Sequence, residues 1–443
     1  MTADSSGVHS SWSGPDVRIR LAQLSRRLTF AAVAMIILSG VAGCAPTVRP
    51  GAISDPIVVP LPQITADVWA GRGQVIRQEP YADPPFDDPE SNVGEAWRAS
   101  YGSVSGMDGR ATEVSGVFFL PRGNPPAGGW PVVSLAHGTT GIGHDCGPSL
   151  QPNLMGYASS IESLLAAGYA VAATDYEGLG ETGSHPYLEA RTAAFNTIDA
   201  VRAIRNLSPA TAARWVGVGY SQGGQAVWAA NELNAFYGID LQFKGSVALA
   251  PAANVTAVAD LARSGAMTDE QRALYPLLIL GVTRYNHDLD ARSFLHGSLE
   301  ASERRLSRCE PAATETAETS TVPAPWSEAV DRIRESNALK PDTARDVTAL
   351  ADALRETALP QRRLNKPMLV IAGGRDALVL PQWVQYAVTQ SCSLGGHIEY
   401  LEMPDVTHRE MMWKAAPAVE SWIADRFSGA VAPSNCPVDH SVP

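Results

Sequence analysis

The stretch RWVGVGYSQGGQAVWAAN, residues 214–231, sets the reading of the chain. Trp215 to Gly219 is an apolar run of the kind that forms a buried strand. It breaks off at Tyr220-Ser221-Gln222-Gly223-Gly224, and a helix-like stretch follows at once. Gly219 and Gly223 flank Ser221 in the spacing G-x-S-x-G. At a strand-to-helix joint this spacing predicts a tight, strained turn that admits no bulk at the flanking positions and lifts the serine hydroxyl above the sheet edge. The helix beyond directs unpaired N–H groups and its positive end toward the same point. A serine so placed reads as a nucleophile.

Working outward, period-2 and continuous apolar runs mark further strands. They lie at 95–105 and 112–121, paired around GMDGRA, and at 130–138, 168–176, 243–252, 367–376 and 397–405. Helical periodicity fills the intervals 153–166, 187–206, 222–236, 380–390 and 410–427. Alternation of strands and helices predicts an α/β chain, a mostly parallel sheet with helices on both faces and its site at the carboxyl ends of the strands. Residues 253–365 carry no strong strand pattern and read as an inserted helical cap around a low-complexity patch, ETAETSTVPAPWS. The core thus divides into 95–252 and 366–443. The proline- and aspartate-rich residues 44–94 read as a tether and irregular wrap.

A serine hydroxyl needs a neighbouring base. In a sheet of this kind the chain order is serine, acid, histidine. His408, in MPDVTHREMM after the last strand, occupies the place of the base; His397 lies at that strand's other end and His440 in the tail. Asp376 ends MLVIAGGRD and is the acid, with Asp405 its rival, three residues before His408. The developing oxyanion calls for donors already in place. The Gln222 N–H follows the serine, and Thr139, in the loop His137-Gly138-Thr139-Thr140-Gly141, supplies the second. His137 reads as a loop brace.

The net charge of −12 disfavours a nucleic-acid partner. Arg18, Arg20, Arg26 and Arg27 precede an apolar LTFAAVAMIIL (28–38) that is too short to span a bilayer, and then SGVAGC. Residues 1–43 therefore read as a signal peptide, and Cys44 as a lipidated N-terminus anchored to the extracytoplasmic face of a membrane; the alternative is an ordinary signal peptide with an incidental cysteine and a secreted chain. Loss of residues 1–43 removes four arginines and two aspartates and takes the charge from −12 to −14. Cys146, Cys309, Cys392 and Cys436 remain, an even set in an oxidising compartment, open to three pairings. No CxxC or HExxH accompanies them, so no metal site is expected.

Taken together, HGTTG, TDYEGLG (174–180), GYSQGG, GGRDALV (373–379) and DVTHRE (405–410) resemble the secretory lipase family of α/β-hydrolases, the lipase A type. The resemblance spans most of residues 60–430. It implies the α/β-hydrolase fold, a helical cap at 253–365, and hydrolysis of carboxylic esters, acylglycerols included, without a cofactor. It also implies the disulfides Cys146–Cys309 and Cys392–Cys436. The N-terminal segment and ETAETSTVPAP depart from the family pattern. Asp175 and Glu177 of DYEGLG receive no catalytic role. The expected substrate is a lipid or small ester, with no obligate protein partner. Three other readings stand beside ester hydrolysis: transfer of the acyl group to an envelope alcohol by the same three residues, a peptidase on the same fold, and a non-enzymatic lipoprotein that uses the fold for binding.

Overall fold

The structure is a computed structural model and describes residues 52–82, 86, 90–297, 299, 309 and 337–436. The expected signal peptide, Cys44 and the low-complexity patch lie outside them. Nine strands form one sheet: β1 (Val75–Pro80), β2 (Val93–Val104), β3 (Ala111–Pro121), β4 (Trp130–Ala136), β5 (Ala170–Thr174), β6 (Thr211–Tyr220), β7 (Gln242–Leu249), β8 (Met368–Gly373) and β9 (Ile398–Met403). Their order is β1-β2-β3-β5-β4-β6-β7-β8-β9. β1 to β3 and the β3–β5 pair are antiparallel, and every pairing from β5 through β4 to β9 is parallel.

Alternate side chains along each strand enter opposite cores, as the two-residue period of a strand requires. Val132, Trp215 and Val370 face one layer, with Phe195 and Ile198 of α3 (Ala190–Leu207) and Trp228 of α4 (Gln222–Tyr237). Val133, Val216 and Ile371 face the other. There they meet Ile161 of α2 (Ala158–Ala166) and Trp422 of α10 (Ala416–Ser428). Each such side chain contributes about 1.5–3 kcal/mol by leaving water. Two covered faces explain why the parallel strands read as continuous apolar runs.

Between β7 and β8 the described residues hold helices α5 (Val258–Ser264), α6 (Asp269–Thr283) and α7 (Ala344–Thr357), and no strand. α6 opens on a reciprocal capping box, Thr268 with Gln271, and α7 on another, Thr343 with Asp346. After β8 come α8 (Pro381–Ser393) and, after β9, the short α9 (Met411–Lys414).

Two local expectations change. The wrap expected as irregular over 44–94 contains a short helix, α1 (Ala66–Gly71), and the edge strand β1. β1 is exposed at five of its six positions, so it never needed the apolar alternation by which a strand is recognised. The helix expected from residue 153 starts at Ala158, because Asn153, Leu154 and Met155 all take positive φ, between 47° and 54°. The remaining arrangement is an α/β-hydrolase fold. Its chain order reverses about β4: β5 lies on one side and β6 on the other. The carboxyl ends of β4 and β6 therefore frame the crevice where ligands bind in open α/β sheets.

Candidate active site

Ser221 stands at the crevice, between the last residue of β6 and the first of α4. Its backbone is held at φ 57°, ψ −114°, a conformation that L side chains rarely adopt. The hydrogen bonds that hold it run both ways: Ser221 N–H donates to Leu249 O at 2.8 Å, and Ser221 O accepts from Ala252 N–H at 3.0 Å. Glycine makes the turn feasible. A Cβ on Gly219 would lie 2.0 Å from Gly223 O, and one on Gly223 would lie 1.9 Å from Ala136 O. A serine at a helix N-terminus ordinarily caps it with its side-chain oxygen. Ser221 makes no such bond, and its hydroxyl is left to another partner.

That partner is His408, whose Nε2 lies 3.0 Å from Ser221 Oγ. Its Nδ1 lies 2.6 Å from Asp376 Oδ2. Asp376 ends the turn after β8, and its other oxygen accepts from Leu378 N–H at 2.9 Å and Val379 N–H at 2.8 Å, which fixes the carboxylate plane. His408 is steered from its own backbone as well, its carbonyl accepting from Tyr220 OH at 3.0 Å. All three side chains are buried. Residues 155 and 187 positions apart from Ser221 are thus brought to one point by adjacent strand ends. Asp405, the rival acid, is exposed, and His397 donates instead to Ala432 O at the far end of β9.

Thr139 lies on the loop after β4, and Gln222 opens α4. Gly138 abuts the Tyr220 ring, where a Cβ would come within 2.9 Å. Gly138 N–H is engaged by Tyr157 OH at 2.6 Å, whereas Thr139 N–H has no backbone acceptor among the described residues. Gln222 N–H belongs to the first turn of α4, where no intrahelical acceptor exists. His137 braces the loop through its own contacts with Gly138 O and Asp175 O. Asp175 in turn gathers Ser115 and Ser149, and Glu177 pairs with Arg110; both are scaffolding.

Two neighbours escaped the sequence reading. His185 and Tyr187 sit in GSHPYLEA, between β5 and α3. Burial pushes the His185 pKa down to about 3, so its ring is neutral. Nδ1–H donates to Glu177 O at 2.8 Å, and Nε2 accepts from the Gln222 side-chain amide at 2.9 Å. Tyr187 OH lies 2.7 Å from Thr139 Oγ1. The usable signal was their place: polar residues in a loop beyond a strand's carboxyl end, beside the crevice.

Ser221 opens into a pocket. Its walls include Val258 of α5, Leu274 and Leu278 of α6, and Trp383 of α8. Gln271 also borders it, but its amide is engaged by Thr268 N–H and Leu378 O, so the lining stays apolar. Disulfides join Cys146 to Cys309, with Cα atoms 4.9 Å apart, and Cys392 to Cys436, 5.4 Å apart. This is the pairing the resemblance implied. Among the described residues the one donor cluster tight enough for a cation is Asp145–Cys146–Cys309, whose sulfurs are bonded to each other. No described helix is long and apolar enough to cross a membrane.

No curated protein matches the chain by sequence. Among solved structures it is similar to Candida antarctica lipase A in its closed state, with TM-score 0.64 and 15% identity over 86% of this chain and 89% of that one. It is also similar to the rice cell wall degrading esterase LipA from Xanthomonas oryzae, with TM-score 0.60 and 18% identity over 81% of this chain and 100% of that one. At these identities the likeness speaks for the fold. The family model "Secretory lipase" matches residues 155–435, well over half of the chain. The chain belongs to the secretory lipase family and is a carboxylic ester hydrolase.

Proposed function

We propose that this hydrolase cleaves lipid-type esters through an acyl-enzyme on Ser221. Ser221 Oγ attacks the acyl carbon while His408 Nε2 takes its proton. Asp376 holds the imidazole in the tautomer that leaves Nε2 free and stabilises the imidazolium. The N–H groups of Thr139 and Gln222 receive the charge that develops on the carbonyl oxygen. His408 then protonates the leaving alcohol, and a water repeats the sequence to release the acid. One observation carries this reading: a Ser221–His408–Asp376 hydrogen-bond series that opens into an apolar pocket. A lining of aliphatic and aromatic side chains suits a hydrocarbon acyl group and disfavours a charged one.

The family is secretory, which supports export of the chain. We further propose that residues 1–43 are removed and that Cys44 carries the lipid that anchors the mature protein to the membrane. Radiolabelled fatty acid should enter the wild type and not Cys44→Ser; equal incorporation would remove the anchor from the scheme.

The test of the catalytic reading compares residues 45–443 as wild type and Ser221→Ala, each treated with a fluorophosphonate and with p-nitrophenyl esters of graded chain length. The wild type should label and turn over, and the variant should lose at least ~10³-fold in kcat. Labelling retained in Ser221→Ala, or a folded wild type that neither labels nor turns over, would overturn it. Added alcohol as a competing acceptor, with the products analysed, separates hydrolysis from acyl transfer.

A further inference from the structure

Tyr187 connects three parts of the site. Its hydroxyl lies 2.7 Å from Thr139 Oγ1, and either oxygen can donate. Its side chain lies against α6 at Gly281, where a Cβ would come within 2.5 Å of Tyr187 Cβ, so the close approach requires glycine. It also lines the pocket that contains Ser221. The residue that borders Thr139 is thus placed as much by the insert as by the core.

Building on the ester-hydrolase reading above, we propose that Tyr187 is a positioning residue that makes the Thr139 side chain an oxyanion donor. The phenol donates to Thr139 Oγ1. A threonine hydroxyl has one proton and two lone pairs. With one lone pair occupied by Tyr187, its own proton is directed to a different acceptor. No second partner of Thr139 Oγ1 is found among the described residues. The carbonyl oxygen of a bound ester then meets three donors: Thr139 N–H, Thr139 O–H and Gln222 N–H. No bond to Tyr187 forms or breaks. As negative charge grows on the substrate oxygen, the Tyr187–Thr139–oxyanion chain polarises along its length and strengthens. The gain falls in the transition state more than in the ground state, so it acts on kcat. The alternative orientation, with Thr139 donating to Tyr187, would leave the threonine without a proton for the substrate and is what the experiment must exclude.

The experiment measures kcat and KM on p-nitrophenyl butyrate for wild type, Tyr187→Phe, Thr139→Val, the double variant and Thr139→Ser. Tyr187→Phe should lower kcat about tenfold, less than the ~10²- to 10³-fold of a donor removed outright. Its KM should stay within about twofold. Thr139→Val should lose at least as much, and the double variant should be no slower than Thr139→Val, since both changes break one chain. Thr139→Ser should restore kcat and its dependence on Tyr187. The proposal is overturned by an unchanged kcat in Tyr187→Phe, or by a double variant whose loss equals the product of the two single losses. Either result would come with wild-type turnover intact. Failure of the hydrolase reading itself looks different: no turnover in the wild type, or turnover kept by Ser221→Ala.

Discussion

A serine held at φ 57° on a helix N-terminus has given up the cap bond that would have stabilised it. The strain is sustained by Gly219 and Gly223, whose missing side chains let three backbone segments meet. The tautomer of His408 rests on a different group, Asp376. In Asp376→Asn, the amide oxygen can still accept from Leu378 and Val379 while the NH₂ faces Nδ1. The imidazole proton is then driven to Nε2, and the base is lost. We expect kcat to fall by about 10⁴-fold with little change in the melting temperature; a loss below tenfold would show that Asp376 does not set the tautomer. Away from the site, Glu232 of α4 accepts from Trp228 Nε1–H, Gln361 N–H and Arg362 N–H, and burial pushes its pKa up to about 8. Between the ordinary value of 4.5 and about 8, the folded protein retains a proton that the unfolded chain has released. Its contribution to stability is therefore full below that window and declines as pH rises through it. Urea unfolding from pH 4.5 to 8 should show this decline in the wild type and a flatter profile in Glu232→Gln; identical profiles would refute it.

At the scale of elements, the joints between core and insert depend on a few contacts. Thr268, the capping residue of α6, also donates to Ala377 O, so the helix that walls the pocket is tied to the turn that carries Asp376. The Cys146–Cys309 disulfide ties the insert to the loop after β4, and Cys392–Cys436 holds the tail beside α8 and β9. In the chain-entropy description, closing a loop of 44 residues stabilises by about 4 kcal/mol. Cys392→Ser with Cys436→Ser should lower the melting temperature by several degrees and leave kcat nearly unchanged, because among the described residues no hydrogen bond joins 429–436 to Ser221, Asp376 or His408. An unchanged melting temperature would argue that the crosslink removes no conformational freedom from the unfolded chain.

At the scale of the whole molecule, the N-terminal segment is a strap across the insert. Ser54 bonds Thr256 and Asn254, Ile57 bonds Arg355, and Val59 bonds Gln361 and Arg362. A chain beginning at residue 63 should melt at lower temperature than one beginning at residue 45 and should exchange the amide hydrogens of α7 faster; equal protection would show that the strap is passive. Nothing in PIVVPLPQ announces these bonds, because they are made by backbone groups to partners about 200 to 300 residues away. β1 was hidden because it is an exposed edge, and the contacts of His185 with Gln222 and of Tyr187 with Thr139 because side chains from separate loops meet only in the closed fold. What the sequence by itself determined was periodicity and local sterics. It held the parallel strands and their helices, the glycine-lined turn at Ser221, and the strand-end places of Asp376 and His408. Tertiary structure alone decided which side chains share a space: that Gln222 meets His185, that Tyr187 reaches Thr139, and that α6 walls the pocket. Period and turn chemistry are properties of a few adjacent residues. A contact between distant residues is created only when the sheet and its insert close on each other.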